Sequence, residues 1–375
     1  MKSFWQACGV AVLSLVAVCN APLSAQTPPI YTKWINYTPA NGFPEGEVFC
    51  VTVDGNRVWA GTTHGLVLIE DGKVRKVYTK ADGLAGEAVM SIAKDKESGD
   101  LWVATFGGLS RLTGDKFTNY TNLSSGLAND LVYGVGLEGH EVWAATAAGV
   151  SVLDTYSNSW KIFNEKNAPF DEPWAYSIAT SPKKVYVAVW GGGVQVYDLA
   201  GKYWRPYTDP DGQMEIVLYR NQGLIHMIVS NVSFNPTTDM FWASTYFGLS
   251  GYDGRNWHNY LAKDSGLASN FLNCAKSRGD EVWACSDNGL SYLNYKTNTW
   301  VTYRPAADGK GAVEVTWPDG KKTNVETAGS LAHNYILNMD FQGDDVWVAT
   351  ARGLSHGIRD PKEQEQIHEL ATNRR

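Results

Sequence analysis

The 375-residue sequence predicts an all-β protein in which one small four-stranded unit is repeated around a closed ring. Three observations support this prediction. A string of the form W-x-x-T-x-x-G-L recurs at a spacing of roughly 40 residues. An aromatic-x-x-aromatic step follows five of the copies, and a turn with a short apolar run completes the unit. Four-stranded units repeated radially are the blades of a β-propeller.

The repeated string predicts the second strand of each unit, and its copies begin at Val58, Leu101, Val142, Val185, Phe241, Val282 and Val346. Such strands, rich in Val, Trp, Tyr and Thr, have high β-propensity. We expect the Trp to fill the gap between adjacent sheets. We expect the Gly to adopt a positive φ in the turn to the third strand.

The two ends of the sequence predict how the ring closes. The last unit stops after its third strand, GLSHGI, and lacks an outer strand. An unattached strand, KWINYT, occupies residues 33–38 near the N-terminus. Pairing the two would remove an exposed sheet edge. We therefore predict a single seven-bladed β-propeller over residues 26–358, closed by the N-terminal strand.

The flanking segments predict export. Residues 1–25 have one Lys at position 2, an apolar run and small residues up to Ala25, as in a cleaved secretory signal peptide. Lipidation at Cys19 is disfavoured by the bulky Val18 before it. We expect a periplasmic or extracellular protein without a membrane span. Residues 359–375 form a polar tail, and residues 312–327 read as a hairpin inserted between blades six and seven, expected to overhang the ligand face.

Composition and motifs exclude several functions. The net charge of −7 argues against nucleic-acid binding, which needs a basic face. The sequence contains none of the zincin, nucleophile-elbow, C-x-x-C or P-loop motifs. Cys274 and Cys285 should face each other across a hairpin if Ser277 pairs with Val282. We expect two small buried residues there, with a strained cross-strand disulfide as the alternative.

The repeat [LV]-W-[VA]-A-T-x-x-G-L-S-x-L, followed by [FW]-x-x-Y-T and G-L-x-x-x-x-V, resembles the two-component regulator propeller repeat. LWVATFGGLSRLTGDKFTNYTNLSSGL carries every element in one stretch. The resemblance covers residues 34–358 and implies a periplasmic sensory or binding propeller. Members of this family place a β-sandwich, a membrane helix and a histidine kinase after the propellers. No such segment follows the repeats in this sequence, so we expect binding without signalling across a membrane by this chain alone.

The repeats also predict where a ligand would bind. Outer-to-inner and second-to-third loops emerge on the same face of a propeller, and residues that differ between copies there are the candidates. Aromatic and planar polar side chains suit a glycan or a peptide. The candidates are His64, Phe106, Trp174, Trp190, His226, Tyr246, Phe247, His333, Tyr335 and Arg352.

Two other functions remain open at this stage. A propeller enzyme, a lyase or hydrolase, would pair His226 or His333 with Glu172 or Glu47 as acid and base. A scaffold would hold proteins of an envelope complex. We expect no cofactor and no metal, and we note Glu47, Glu87 and Asp130 as the oxygen ligands that a calcium ion would use.

Overall fold

The computed structural model describes residues 28–212, 219–360 and 362. The predicted signal peptide, residues 213–218 and most of the tail lie outside the described residues. Thirty β-strands form seven antiparallel sheets arranged as the blades of a propeller. The predicted fold class is therefore confirmed. The short 3-10 turns are Pro39–Asn41, Lys80–Asp82, Ala262–Asp264 and Ala307–Gly309.

Each blade runs from an inner to an outer strand. Blade one contains β2 (Val48–Asp54), β3 (Arg57–Thr62), β4 (Gly65–Glu70) and β5 (Lys73–Tyr78). Blade two contains β6 (Val89–Lys94), β7 (Leu101–Thr105), β8 (Gly108–Thr113) and β9 (Lys116–Tyr120). Blade three contains β10 (Val132–Glu138), β11 (Glu141–Thr146), β12 (Gly149–Asp154) and β13 (Ser159–Phe163).

The same order continues around the ring. Blade four contains β14 (Ala175–Thr180), β15 (Lys184–Val189), β16 (Gly193–Asp198) and β17 (Tyr203–Tyr207). Blade five contains β18 (Val229–Asn235), β19 (Met240–Thr245), β20 (Gly248–Tyr252) and β21 (Trp257–Tyr260). Blade six begins with β22 (Leu272–Arg278), β23 (Glu281–Ser286), β24 (Gly289–Asn294) and β25 (Thr299–Pro305).

Blade seven combines the two ends of the propeller. Its first three strands are β28 (Ile336–Gln342), β29 (Asp345–Thr350) and β30 (Gly353–Ile358). Its fourth strand is β1 (Lys33–Tyr37), which pairs antiparallel with β30 from Lys33↔Ile358 to Tyr37↔Leu354. The backbone groups of both strands are thus hydrogen-bonded, and the first and last parts of the propeller are held in one sheet.

The T-x-x-G part of the repeat builds the turn between second and third strands. In blade one, the Thr62 hydroxyl donates to the Gly65 carbonyl at 2.9 Å and accepts from the His64 N–H at 3.1 Å. Gly65 has φ of +126°, and a Cβ there would lie 2.3 Å from the Tyr78 carbonyl oxygen, so only Gly fits. The same hydroxyl contacts recur at Thr105, Thr146, Thr245, Ser286 and Thr350.

The core lies between neighbouring blades. The second-strand Trp102, Trp143, Trp242 and Trp283 are among the largest fully buried side chains, and each packs in an apolar cluster with residues of more than one strand. Burying an aromatic side chain of this size contributes roughly 2–3 kcal/mol. The framework is therefore stabilised blade by blade, as expected for a repeat protein.

Blade six carries two further strands. β26 (Gly311–Thr316) and β27 (Lys322–Thr327) form a hairpin whose first strand pairs with β25 from Pro305↔Gly311 to Trp300↔Thr316. The sheet of blade six therefore has six strands. Thr316, the last residue of β26, pairs with Trp300 near the start of β25. The hairpin turn that follows Thr316 therefore lies at the end of the blade where β24 turns into β25. The expectation that the hairpin overhangs the ligand face is wrong: it extends the sheet outwards, and its tip lies on the opposite face.

The segment before β1 packs under this extended sheet. Tyr31 and Trp34 join Trp283, Tyr303, Val313 and Val315 in an apolar cluster, which we call the closure cluster. The Tyr303 hydroxyl donates to the Pro29 carbonyl, and the Tyr31 hydroxyl donates to the Asp344 carbonyl at 2.6 Å. The N-terminal segment is thereby attached to blade six as well as to blade seven.

Cys274 and Cys285 are register partners, as the pairing of Ser277 with Val282 predicts, and both are buried free cysteines. Among the described residues, no helix is long and apolar enough to cross a membrane.

Candidate functional site

The inner strand of every blade contains a β-bulge at the same place. The register shifts occur between Val48 and Cys50 in blade one, between Val132 and Gly134 in blade three, and at the equivalent positions of the other blades. A bulge inserts one unpaired residue and changes the direction of its side chain. We call these residues the bulge ring: Phe49, Met90, Tyr133, Tyr176, Ser230, Asn273 and Leu337.

The bulge lets two successive residues line the central channel, which a regular strand would not allow. A cavity of about 230 Å³ is bounded by the bulge ring and by residues next to it, including Cys50, Ser91, Ser177, Asn231 and Asn338. The latter side chains form the floor of this cavity. Asn231 donates to the Ser177 hydroxyl at 2.9 Å, and Asn338 accepts from the Val51 N–H at 3.4 Å.

Two further rings of residues lie at the same end of the blades. The residue before each inner strand accepts, through its carbonyl, a hydrogen bond from the first residue of the second-to-third turn. The entry ring contains Glu47, Ala88, Leu131, Trp174, Ile228, Phe271 and Tyr335. The turn ring contains Thr63, Phe106, Ala147, Trp190, Tyr246, Asp287 and Ala351. Together with the bulge ring, we call this end of the channel the upper mouth.

Aromatic side chains dominate the upper mouth, with three in each ring. A connected series crosses blades two to six, with ring-centroid distances of 5.2 Å (Phe106–Tyr133), 4.7 Å (Tyr133–Tyr176), 5.3 Å (Tyr176–Trp190), 4.8 Å (Trp190–Tyr246) and 4.1 Å (Tyr246–Phe271). We call these six residues the aromatic arc. Phe106 is 40% exposed, and Trp174 beside the arc is 45% exposed. The arc is therefore open to solvent at its Phe106 end.

The phenols of Tyr176 and Tyr246 stay protonated at neutral pH. Burial raises the pKa of Tyr176 to about 12, with smaller contributions from Tyr133 and Tyr246. Burial also raises the pKa of Tyr246, with a contribution from Tyr335. These hydroxyls thus carry no charge, and the rings act as neutral contact surfaces with a polar edge.

Charge at the upper mouth is confined to one side. Glu47 and Asp287 are the charged members of the three rings, and they flank blade seven. Burial raises the pKa of Tyr335, a hydrogen bond with Asn273 acts against this rise, and the negative charges of Asp287 and Glu47 add to it. One carboxylate oxygen of Asp287 is shielded from solvent, and no donor reaches it within the described part of the chain.

The opposite end of the channel has a different chemistry. Lys276 and Asp340 form an ion pair at 3.3 Å, and Asp340 also accepts from the Val53 N–H at 2.8 Å. The charge of Asp340 raises the pKa of Lys276. Lys94 pairs with Asp54 at 3.0 Å. The charges within each of these two ion pairs neutralise one another.

The structure brings some of the sequence-predicted residues together. Phe106, Trp190 and Tyr246 belong to the arc, and Trp174 and Tyr335 belong to the entry ring of the same mouth. Phe247 lies one turn position beyond the rings and packs on His226 at 6.2 Å. Arg352 is exposed at the equivalent position of blade seven. The sequence-predicted ligand-binding residues therefore fall into two groups, one at the upper mouth and one in the loops outside its three rings.

The three predicted histidines make local contacts in their loops. Nδ1 of His226 accepts from the Ile228 N–H and Nδ1 of His333 accepts from the Tyr335 N–H, both at 3.1 Å. Asn129 and Ser269 accept the same N–H in other blades, so this position stabilises a turn. His226 is buried. Nδ1 of the exposed His64 lies 2.9 Å from the Glu45 carbonyl oxygen.

Histidine–carboxylate pairs do occur, but at the other face. His140 lies 3.3 Å from Asp154, His258 lies 3.2 Å from Asp253, and His356 lies 3.0 Å from Asp345. Each of these carboxylates is at the end of the blade opposite the upper mouth.

In residues 28–212 and 219–360, no group of three or more His, Cys, Asp or Glu side chains is arranged to hold a metal ion. Glu47, Glu87 and Asp130 therefore do not come together as a calcium site, and the Asp130 carboxylate accepts from the Asn122 N–H at 2.7 Å.

Sequence reasoning missed Phe49, Tyr133, Tyr176 and Phe271. The first three are bulge residues, and nothing in their residue type marks a bulge. The available indication was a break in strand alternation: a large residue stands directly before the small residue that faces the channel, as in Tyr133-Gly134 and Tyr176-Ser177.

Comparison with known proteins supports the fold. The extracellular domain of a protein described as the hybrid two component system BT3049 from B. thetaiotaomicron superimposes with a TM-score of 0.68 at 16% identity, covering 87% of this chain and 42% of that one. The extracellular domain of the one component system BT4673 from the same organism gives 0.65 at 17% identity, covering 88% and 40%. Virginiamycin B lyase from Staphylococcus aureus gives 0.59 at 11% identity, covering 86% and 97%.

These identities are low enough that the likeness shows the propeller fold alone. The chain spans about two fifths of the length of the two sensor domains. No family model matches the sequence, and no curated protein does either.

Proposed function

We propose that this chain is an exported, non-catalytic binding propeller that takes up its ligand at the upper mouth. The observation that carries the proposal is the aromatic arc: six connected side chains, at positions that differ between blades, lie at the channel entrance, where Phe106 is 40% exposed and Tyr133 and Tyr176 also line the cavity. Concave apolar sites with a few polar groups are typical binding sites. The similarity to extracellular domains of sensor proteins supports a sensing or capture role, and a glycan, a peptide or an envelope protein are the ligand classes predicted from the sequence.

The location of the polar pairs favours binding over catalysis. A propeller enzyme would need an acid and a base converging in the channel entrance. The imidazole Nδ1 atoms of His226 and His333 are engaged by backbone N–H groups, and the observed His–carboxylate pairs lie at the other face. The function that the upper mouth supports is therefore recognition.

A thermal-shift screen of residues 26–375 against glycans, peptides and partner proteins tests the proposal. A ligand that binds only the folded state raises the melting temperature. We expect a hit to be lost in Tyr176→Ala and retained in Tyr156→Ala, because Tyr156 is an equally aromatic but 82% exposed residue on the opposite face. Hits that survive Tyr176→Ala and Trp190→Ala would place binding elsewhere and reject the upper mouth.

A further inference from the structure

The two sides of the upper mouth differ in charge. Three aromatic side chains stand in each ring, the two charged members are both acids, and no Lys or Arg occupies any of these positions. The negative charge lies on one side, around Tyr335, and the aromatic arc occupies the other side. The mouth therefore presents a carboxylate wall facing an aromatic wall.

The polar side chains of the rings are already bonded within the fold. Ser230 donates to the Leu272 carbonyl at 2.6 Å, and Asn273 donates to the Ile336 carbonyl at 2.7 Å. The Thr63 hydroxyl accepts from the Glu47 N–H at 3.2 Å. The Glu47 and Asp287 carboxylates retain acceptor capacity, and the solvent-shielded oxygen of Asp287 has no donor among the described residues. The mouth thus offers acceptors for a ligand with N–H donors.

The geometry of the rings fits the same ligand class. Neighbouring rings of the arc meet at interplanar angles of 76°, 50°, 47°, 87° and 41°, so they do not form one flat platform. Rings at these angles present their faces in several directions, and the face of an aromatic ring is the negative end of its quadrupole. Such a set of faces attracts a cation, most strongly where Trp takes part.

We infer that the ligand of the upper mouth is an organic cation, a protonated amine or guanidinium carried by an apolar body, with its charge beside Asp287, Glu47 and Tyr335 and its body against the aromatic arc. This inference rests on the proposed function. The cations already near the mouth are placed outside it: Arg352 is exposed one residue beyond the turn ring, and Arg304 donates to the Asn288 and Ala268 carbonyls.

The first test compares three probes of one shape by calorimetric titration: 3-phenylpropylamine, 3-phenylpropanol and 3-phenylpropionate. We expect the amine to bind about tenfold more tightly than the alcohol, because the alcohol lacks the cation–π and ionic contacts. Equal affinity of amine and alcohol, tighter binding of the carboxylate, or no binding of the amine would each overturn the inference. Equal affinity of amine and alcohol, or tighter binding of the carboxylate, would leave the proposed binding function intact. If the amine does not bind, the thermal-shift screen with Tyr176→Ala decides whether the upper mouth binds a ligand at all.

Variants locate the charge. Asp287→Asn keeps the shape and removes the charge, and we expect it to abolish the preference for the amine while leaving alcohol affinity unchanged. Glu87→Gln is the matched control, since Glu87 is an exposed acid on the same face outside the three rings. If Asp287→Asn leaves the preference unchanged, or Glu87→Gln removes it, the carboxylate wall is not the cation site.

Two peptides distinguish a cation on a peptide side chain from a small free amine. Acetyl-Trp-Arg-amide and its citrulline counterpart differ only in the charge of the second side chain. Tighter binding of the arginine peptide than of 3-phenylpropylamine indicates a peptide ligand. Tighter binding of 3-phenylpropylamine indicates a small amine. Equal binding of the arginine and citrulline peptides, together with equal binding of amine and alcohol, contradicts the inference for both sources.

Discussion

Two aromatic clusters of this protein differ in whether the chain covers them. The closure cluster, around Tyr31, Trp283 and Tyr303, lies beneath the hairpin of blade six, and its central side chains are almost completely buried. The aromatic arc at the upper mouth is as rich in aromatic residues but has no covering strand, and Phe106 at its edge is 40% exposed. The comparison separates aromatics that the chain covers from aromatics that it leaves partly open at the proposed binding mouth.

Removing the cover should have the largest effect. Deletion of 311–327 takes away the buried Val313 and Val315 and exposes Tyr31. We expect a loss of roughly 6 kcal/mol in the free energy of unfolding, from about 2 kcal/mol for each of these three side chains. Urea denaturation followed by tryptophan fluorescence measures it. Lys322→Ala on the exposed edge is the control and should stay within about 0.5 kcal/mol. An unchanged transition after the deletion would mean that the hairpin is dispensable for closure.

One hydrogen bond inside the closure cluster gives a finer test. Tyr303→Phe keeps the ring but leaves the Pro29 carbonyl without its donor. We expect a loss of about 1–2 kcal/mol, the usual cost of an unsatisfied buried acceptor. Tyr203→Phe is the control, because Tyr203 is 57% exposed. Equal denaturation midpoints for the two variants would show that the N-terminal segment is not held by this bond.

The fold could be predicted from the sequence because its determinants are local and repeated. The Thr that closes each turn and the Gly that needs a positive φ recur in almost every unit, so the strands between them are placed with little ambiguity. The exception is informative: blade four has Val189 and Trp190-Gly191-Gly192 in place of the Thr turn, and Gln195 donates to the Gly192 carbonyl instead. The departure from the repeat coincides with a residue of the aromatic arc.

The site could be predicted only in part because it depends on pairing rather than on residue type. Phe106, Trp190 and Tyr246 stand in turns that the repeat locates, so they could be found. Tyr133 and Tyr176 reach the mouth through bulges, which arise from strand register. The hairpin was placed on the wrong face because the sequence shows its strands but not that β26 would pair with β25. His226 was selected as a loop histidine, although its ring stabilises a turn.

Uncovered aromatics should matter little for stability. Trp174 at the mouth is 45% exposed, and its replacement by Ala should change the free energy of unfolding by no more than about 1 kcal/mol, since less area is returned to water. Tyr31→Ala in the closure cluster should cost about 3 kcal/mol. Thermal denaturation of both variants compares the two regions directly. A larger loss of stability in Trp174→Ala than in Tyr31→Ala would contradict the distinction between covered and uncovered clusters.

The smallest expected effect is a pH dependence of the free energy of unfolding, to which one histidine at the upper mouth and one at the ring closure contribute. Burial lowers the pKa of His333 at the mouth, with a contribution from Arg352, and burial lowers the pKa of His356, whose strand pairs with β1 at the closure. For a base with a lowered pKa, the unfolded chain binds the proton first. The stability contributed by both histidines is therefore present above pH 6.5 and is lost as the pH falls from 6.5 through the folded-state pKa.

Melting temperatures recorded between pH 7.5 and pH 5 test this sign by comparing the protein with its histidine variants, because burial raises the pKa of Asp209 to about 6 and this carboxyl titrates in the same window. We expect His333→Asn to flatten the pH dependence with little loss of stability at pH 7.5, because Asn129 accepts the equivalent N–H in blade three. His356→Gln should flatten it at the closure end but also lose the contact with Asp345. A pH dependence that stays equally steep in both variants would contradict its assignment to these two histidines.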